Sequence, residues 1–202
     1  MRFWYPRFDT AYAPLLLVDK SRLWDEDHLG VIRRGIPNRL STEWQAPKVR
    51  FMRDDEIVRE VESPEFPYSF LRSSNFSELS DILICDAVAR EALEPLVGQA
   101  VEFLPLDCPN EPQRSLWLLN VLTVAECLDY ERSEFTYWDS GAVKAVRRYV
   151  FRTGCLEGQH IFRLPLFNYV EIYVSDEFKR LIEQQGLTGL RFELAQWETQ
   201  TE

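Results

Sequence analysis

From Tyr169 to Leu194 the chain reads YVEIYVSDEFKRLIEQQGLTGLRFEL, and the spacing of its apolar positions changes twice. Val170, Ile172 and Val174 alternate with Tyr169, Glu171 and Tyr173, the two-residue period of a strand with one buried face. Phe178, Leu181 and Ile182 then fall at i, i+3 and i+4, which predicts a helix with one apolar stripe. Ser175 or Asp176 can accept hydrogen bonds from the first free helical N–H groups, and Glu177 suits the positive end of the helix dipole. Gly186 supplies the left-handed residue that ends the helix, and Leu190–Leu194 alternates again as a second strand.

The same order recurs upstream. Ile82-Leu83-Ile84 is a short buried strand, and Asp86 can cap a helix with apolar positions Val88, Ala89, Ala92 and Leu93. Pro95 is expected to end that helix at about Glu94. Gly98 turns the chain, and Val101–Leu104 returns as a strand. Cys85-Asp86 aligns with Ser175-Asp176, and Val101-Glu102-Phe103 with Leu190-Arg191-Phe192, with one residue of slack. Between the two copies lies the almost wholly apolar Leu116–Val124, the mark of a strand buried on both faces. Its Asn120 needs a partner for its amide.

Elsewhere Pro14–Val18, Lys48–Arg53, Val143–Phe151 and His160–Leu164 read as strands, the last with Ile161 and Arg163 opposed to Phe162 and Leu164. Glu62–Pro67, with two prolines in six residues, is a candidate boundary. The expectation is an α+β fold: a mixed or antiparallel sheet with two strand–helix–strand units packed on it, plus an irregular β-rich N-terminal part. Residues 1–68 would form that N-terminal lobe, and residues 69–202 an α+β domain with a pseudo-repeat, 82–104 and 170–194.

Composition bears on class. At 202 residues and 46% hydrophobic content the chain can bury a core without staples. No apolar run is long enough to span a bilayer and none resembles an export signal, so a cytoplasmic protein is expected. Cys85, Cys108, Cys127 and Cys155 form no CxxC pair and have no histidine at ligand spacing. Four reduced thiols are the expectation, with no disulfide framework and no zinc.

The net charge of −10 is unevenly placed. Residues 1–75 hold 12 acids and 12 bases, residues 141–202 hold 8 and 8, and residues 76–140 hold 13 acids against Arg90, Arg114 and Arg132. An acidic middle third repels nucleic acid and attracts basic proteins, or simply keeps the surface soluble.

Catalytic motifs are lacking. There is no glycine-rich phosphate loop, GxGxxG or GxSxG, and only His28 and His160 could act as bases near neutral pH. His160, in an alternating strand, reads as an ordinary exposed residue. Asp25-Glu26-Asp27-His28 superficially resembles a ligand cluster, but consecutive carboxylates on a turn diverge. No catalytic residue, cofactor or metal is assigned.

The most unusual stretch is Glu126–Asp139, ECLDYERSEFTYWD, which mixes acids with Tyr130, Phe135, Tyr137 and Trp138. Aromatic side chains bring large contact area at low entropic cost, and neighbouring carboxylates meet lysine or arginine on a partner. Asp129, Glu131, Glu134, Tyr137, Trp138 and Asp139 are therefore candidate partner-binding residues, with the aromatic–acidic patch Trp24, Asp25 and Glu26 as a second group. The competing reading of Glu126–Asp139 is a hydrophilic connection whose aromatics pin it to the core.

The runs LWLLNVLTVAECLDYERSEF, ILICDAVAREALEPLVGQAVEFLPL and IFRLPLFNYVEIYVSDEFKRLIEQQGLTGLRFEL together resemble a bacterial family, immunity-protein family eleven of polymorphic-toxin systems. The likeness covers about residues 69–195. It implies a small α+β cytosolic protein that binds a cognate toxin and blocks it without turnover. Such toxins serve interbacterial competition, often through contact-dependent or type VI secretion-like machinery, and many are nucleases. A basic toxin would suit the acidic middle. A segment shared by a family whose members face different toxins is more readily scaffold than specificity surface, which lowers the claim of Asp129–Ser133. Phe135–Asp139 lies largely beyond the likeness. The alternative is a small enzyme acting on a small molecule or on the toxin's product, which requires a concave pocket with titratable groups. The sequence leaves the oligomeric state open.

Overall fold

A computed structural model describes residues 2–18, 32, 37–52, 73–152, 154–166, 171–195 and 197–199. Most of its strands are antiparallel, in several sheets, and two helices accompany them: an α+β fold. One four-stranded sheet has the order β4-β5-β7-β6, where β4 is Phe76–Leu79, β5 Ile82–Asp86, β6 Val101–Leu106 and β7 Leu116–Val121. Helix α1, Ala87–Val97, connects β5 to β6. A second has the order β10-β11-β1-β12: β1 is Phe3–Phe8, β10 Ile161–Arg163, β11 Ile172–Ser175 and β12 Leu190–Leu194. Helix α2, Asp176–Gln184, connects β11 to β12.

The two sheets share one plan. In each, a strand leads into a helix, the strand after the helix returns parallel to the first, and a third strand fits between them antiparallel to both. In the first sheet that inserted strand is β7, which follows β6 directly. In the second it is β1, from the other end of the chain. FWYPRF forms a strand although Pro6 lacks an N–H for a ladder. The register explains its tolerance: β1 faces β11 only at Phe3 and Trp4, so by Pro6 only β12 flanks the strand.

Both helices start on a side chain that replaces the missing intrahelical acceptor. Asp86 Oδ1 accepts from Ala89 N at 2.9 Å, and Ser175 Oγ accepts from Phe178 N at 3.2 Å. Helix α1 runs past Pro95 to Val97, three residues beyond the expected end. The carbonyl that Pro95 leaves without an amide partner is that of Glu91, four residues back, and both residues are exposed, so water can serve it. The last turn meanwhile buries Val97. Val88, expected on the apolar stripe, is exposed; the helix buries Ala89, Leu93 and Val97 instead.

Alternate residues of β5 enter different cores, as a strand covered on both faces requires. Ile82 and Ile84 join a cluster with Leu15, Leu17, Ile32, Leu40 and Val49, drawn from β2 (Leu15–Leu17), β3 (Val49–Phe51) and their surroundings. Leu83 and Cys85 face the two helices, where Ala89, Leu93, Phe178, Ile182 and Val174 form one shared cluster. Asn120, on β7, finds one partner directly opposite on β6 and another in the N-terminal part of the chain. Its Nδ2 donates to Asn38 O at 2.8 Å and to Glu102 Oε2 at 3.1 Å. Glu102 also accepts from Leu40 N at 2.8 Å and Ser41 N at 3.0 Å. Burial raises its carboxyl, but these hydrogen bonds outweigh burial and hold it below the ordinary range.

Three further expectations change. β11 is covered on both faces, with Tyr173 and Val174 equally buried. His160 precedes β10, half-buried, with Nδ1 3.0 Å from Ser175 Oγ. The expectation of four reduced thiols is corrected: Cys127 and Cys155 form a disulfide, while Cys85 and Cys108 are free and buried. Spacing along the chain could not show this, because the antiparallel pairing of Leu128 with Phe151 brings the two cysteines together.

Candidate partner-binding surface

Strand β8, Glu134–Tyr137, and β9, Val143–Phe151, form a hairpin, and β13, Trp197–Thr199, lies parallel to β9 on the other side. At the root of the hairpin, Asp129 N donates to Val150 O at 2.8 Å and Arg152 N to Cys127 O at 2.9 Å. The disulfide closes the same root. Behind β9, Tyr5, Tyr149 and Tyr173 join their hydroxyls. Tyr5 donates to Tyr149 at 2.8 Å, Tyr149 and Tyr173 lie 3.2 Å apart, and Tyr173 donates to Glu171 at 3.3 Å. Burial pushes the phenols of Tyr5 and Tyr173 well above the usual range, so these two stay protonated, and the linked hydroxyls anchor the hairpin to the second sheet.

The outer part of the hairpin leaves its aromatics in water. Tyr130 is 53%, Tyr137 58% and Trp138 56% exposed, which is unusual for side chains of this size. Tyr130 stacks on Phe135 at 5.7 Å, and Phe135 lies 6.1 Å from Tyr137. Phe135 itself is half-buried against the core that contains Tyr149 and Phe151. An apolar strip thus runs from the interior to the surface.

The acids expected beside it fall into two groups. Asp129 Oδ1 accepts from Glu131 N and Arg132 N, both at 3.1 Å, and so holds the turn before β8. Glu134 forms an ion pair with Arg148 at 3.0 Å. Glu131 and Asp139 are exposed, one at each end of β8. Lys144 lies 4.5 Å over the ring of Trp138. The cross-strand bases Lys144 and Arg148 are not among the candidate residues, because only the pairing of β8 with β9 places them beside Trp138 and Glu134. Tyr130 was likewise left out of the candidate set, although it stacks within it. Trp24, Asp25, Glu26 and His28 lie outside the described residues, as does the boundary at Glu62–Pro67.

A shallow groove of about 340 Å³ separates the outer faces of α1 and α2, lined by Ala92, Pro95, Leu96, Glu177, Arg180, Leu181 and Gln184. Its charges pair with each other, Arg180 to Glu177 at 3.1 Å. Among the described residues no three His, Cys, Asp or Glu side chains converge as metal ligands, and no helix is long and apolar enough to cross a membrane.

The family model of the Immunity protein family (Imm11) matches residues 43–196. The chain belongs to this family. Membership points to a toxin-neutralising immunity role and to a cognate toxin as partner. No curated protein matches the chain. The matched span takes in the hairpin, both helices and all of the first sheet, while β1, the inserted strand of this immunity-family fold, lies before it.

Proposed function

We propose that this protein neutralises one cognate antibacterial toxin by stoichiometric binding, without turnover, and that binding covers the toxin's active site. The family match carries the reading. The exposed aromatic strip of Tyr130, Tyr137 and Trp138 supports it, since rigid aromatics at a surface supply binding energy at small entropic cost. The toxin is a basic protein, and a nuclease fits that description; the net charge of −10 would speed its capture.

Action in the cytoplasm is part of the proposal, and there thiols are kept reduced. The protein must then fold with Cys127 and Cys155 open, which the backbone pairing of Leu128 with Phe151 at the same place allows. The test is co-expression with the neighbouring toxin gene. Protection that tracks the immunity protein one-for-one, with a co-purifying complex, is the expected result. Protection from far fewer copies than toxin would favour catalytic reversal instead. Neither protection nor a complex would end the proposal.

A further inference from the structure

Among the described residues, β8 is hydrogen-bonded to β9 alone, so its other side presents a row of main-chain N–H and C=O groups. Such an edge is a template for another strand unless the protein blunts it, typically with lysine, proline or a bulge in the edge strand. β8 carries none of these. Its pairing with β9 is irregular, but the extra residues, Lys144 and Arg147, fall in β9, and β8 is uninterrupted. Three other edges differ. Phe76 N of β4 donates to Thr188 O, and Arg163 N of β10 to Thr123 O. β12 turns Leu190 and Phe192 inward and pairs its charges, Arg191 with Asp9 and Glu193 with Arg7.

The chemistry along β8 is two-sided. Phe135 and Tyr137, two residues apart, share a face with an apolar surface that Tyr130 extends. Glu134 and Thr136 share the other. Asp129, Glu131, Glu134 and Asp139 stand against Arg132 alone along residues 129–139, whereas Lys144, Arg147 and Arg148 lie one strand further in. The rim is acidic and its backing basic, so an added strand meets the acids first.

We propose that β8 is the docking edge for the toxin: an extended segment of it, with lysine or arginine alternating with apolar residues, adds to the sheet beside Glu134–Tyr137. The apolar residues cover Phe135 and Tyr137, and the cations meet Glu131, Glu134 and Asp139. This deepens the immunity reading and rests on it.

Hydrogen–deuterium exchange tests it, with the protein alone and mixed with the product of the neighbouring toxin gene in a catalytically dead form. The outward-facing amides of Phe135–Tyr137 should slow by at least about tenfold in the complex, while those of β12 stay unchanged. Tyr137→Ala with Trp138→Ala should keep the unfolding midpoint and weaken the complex about 30-fold or more. Glu131→Lys with Asp139→Lys should slow association about tenfold at low salt and little at high salt, and Glu91→Lys on α1 should not. A complex that leaves β8 exchange unchanged overturns the edge proposal and spares the immunity reading. Slowing that grows with this protein's own concentration, without toxin, assigns the edge to a second copy and also overturns it. No complex at all removes both.

Discussion

Gly189 sits where the two sheets meet, and replacing it with alanine gives the sharpest test of the packing. Its φ is +101°, a conformation that residues with a side chain rarely adopt. A Cβ there would lie 2.9 Å from both Cβ and Oγ of Ser74, and closer still to the carbonyl oxygen of Phe76. The neighbours cannot easily retreat. Phe76 N donates to Thr188 O at 3.0 Å, Thr188 N donates to Asn75 Oδ1 at 3.0 Å, and Asn75 Nδ2 reaches Asp86 at 3.0 Å. The backbone conformation costs about 1–3 kcal/mol. Forcing the loop away from β4 costs about 1–3 more, counted as overpacking or as loss of one or two of these hydrogen bonds. Gly189→Ala should therefore lose roughly 2–6 kcal/mol, a large share of a usual folding free energy of about 5–15. Gly186→Ala is the control. Its φ is +62° and a Cβ there meets nothing within 4 Å, so only the backbone cost of about 1–2 kcal/mol applies. Urea unfolding of both variants, followed by far-UV circular dichroism, measures the difference. If the two lie within about 0.5 kcal/mol of each other, the close approach of the loop to β4 is not what requires glycine, and the reasoning fails.

Glu102→Gln keeps the shape of a carboxylate that holds Leu40 N, Ser41 N and Asn120, but removes its charge. The folded-state carboxyl lies below its ordinary value of 4.5, so its contribution is complete above that pH and fades as pH falls through the folded value. The variant should cost about 1–3 kcal/mol at pH 7 and converge on the wild type as pH falls through the lowered folded value; parallel stability curves down to acid would refute this. Reducing Cys127–Cys155, which closes a loop of 28 residues, should cost about 3–4 kcal/mol without unfolding the protein. Urea midpoints with and without a dithiol decide it, and equal midpoints would count against the bond. Asp86→Ala removes the cap of α1 and should cost about 1–2 kcal/mol, while Asp86→Ser should recover most of it in the same unfolding measurement.

The legible parts of the fold are those whose signals are local. The caps at Asp86 and Ser175, the stop at Gly186 and the doubly buried Leu116–Val121 each rest on contiguous residues, and each could be read from spacing alone. β1 was not, because what makes FWYPRF a strand is the pair of partners that α2 separates, not its own pattern. The disulfide was missed for a related reason: only the pairing of residues near 128 with those near 151 makes Cys127 and Cys155 neighbours. At the candidate surface the aromatics were readable as unusual, but not their exposure. Nor could the sequence separate Asp129, which holds a turn, and Glu134, which is paired, from the exposed Glu131 and Asp139.

The origin of β1 also orders events during synthesis. Trp4 donates to Asp176, 172 residues later, and the strands on either side of β1 belong to the last part of the described chain. A ribosome adding roughly 5–20 residues per second leaves this apolar strand waiting for tens of seconds, at the slower rates, before its slot exists. The first sheet can close before β11 and β12 are made, but the second cannot. Newly made molecules are thus incomplete until translation has passed β12, and premature termination before that point leaves Phe3, Trp4 and Tyr5 with nowhere to go.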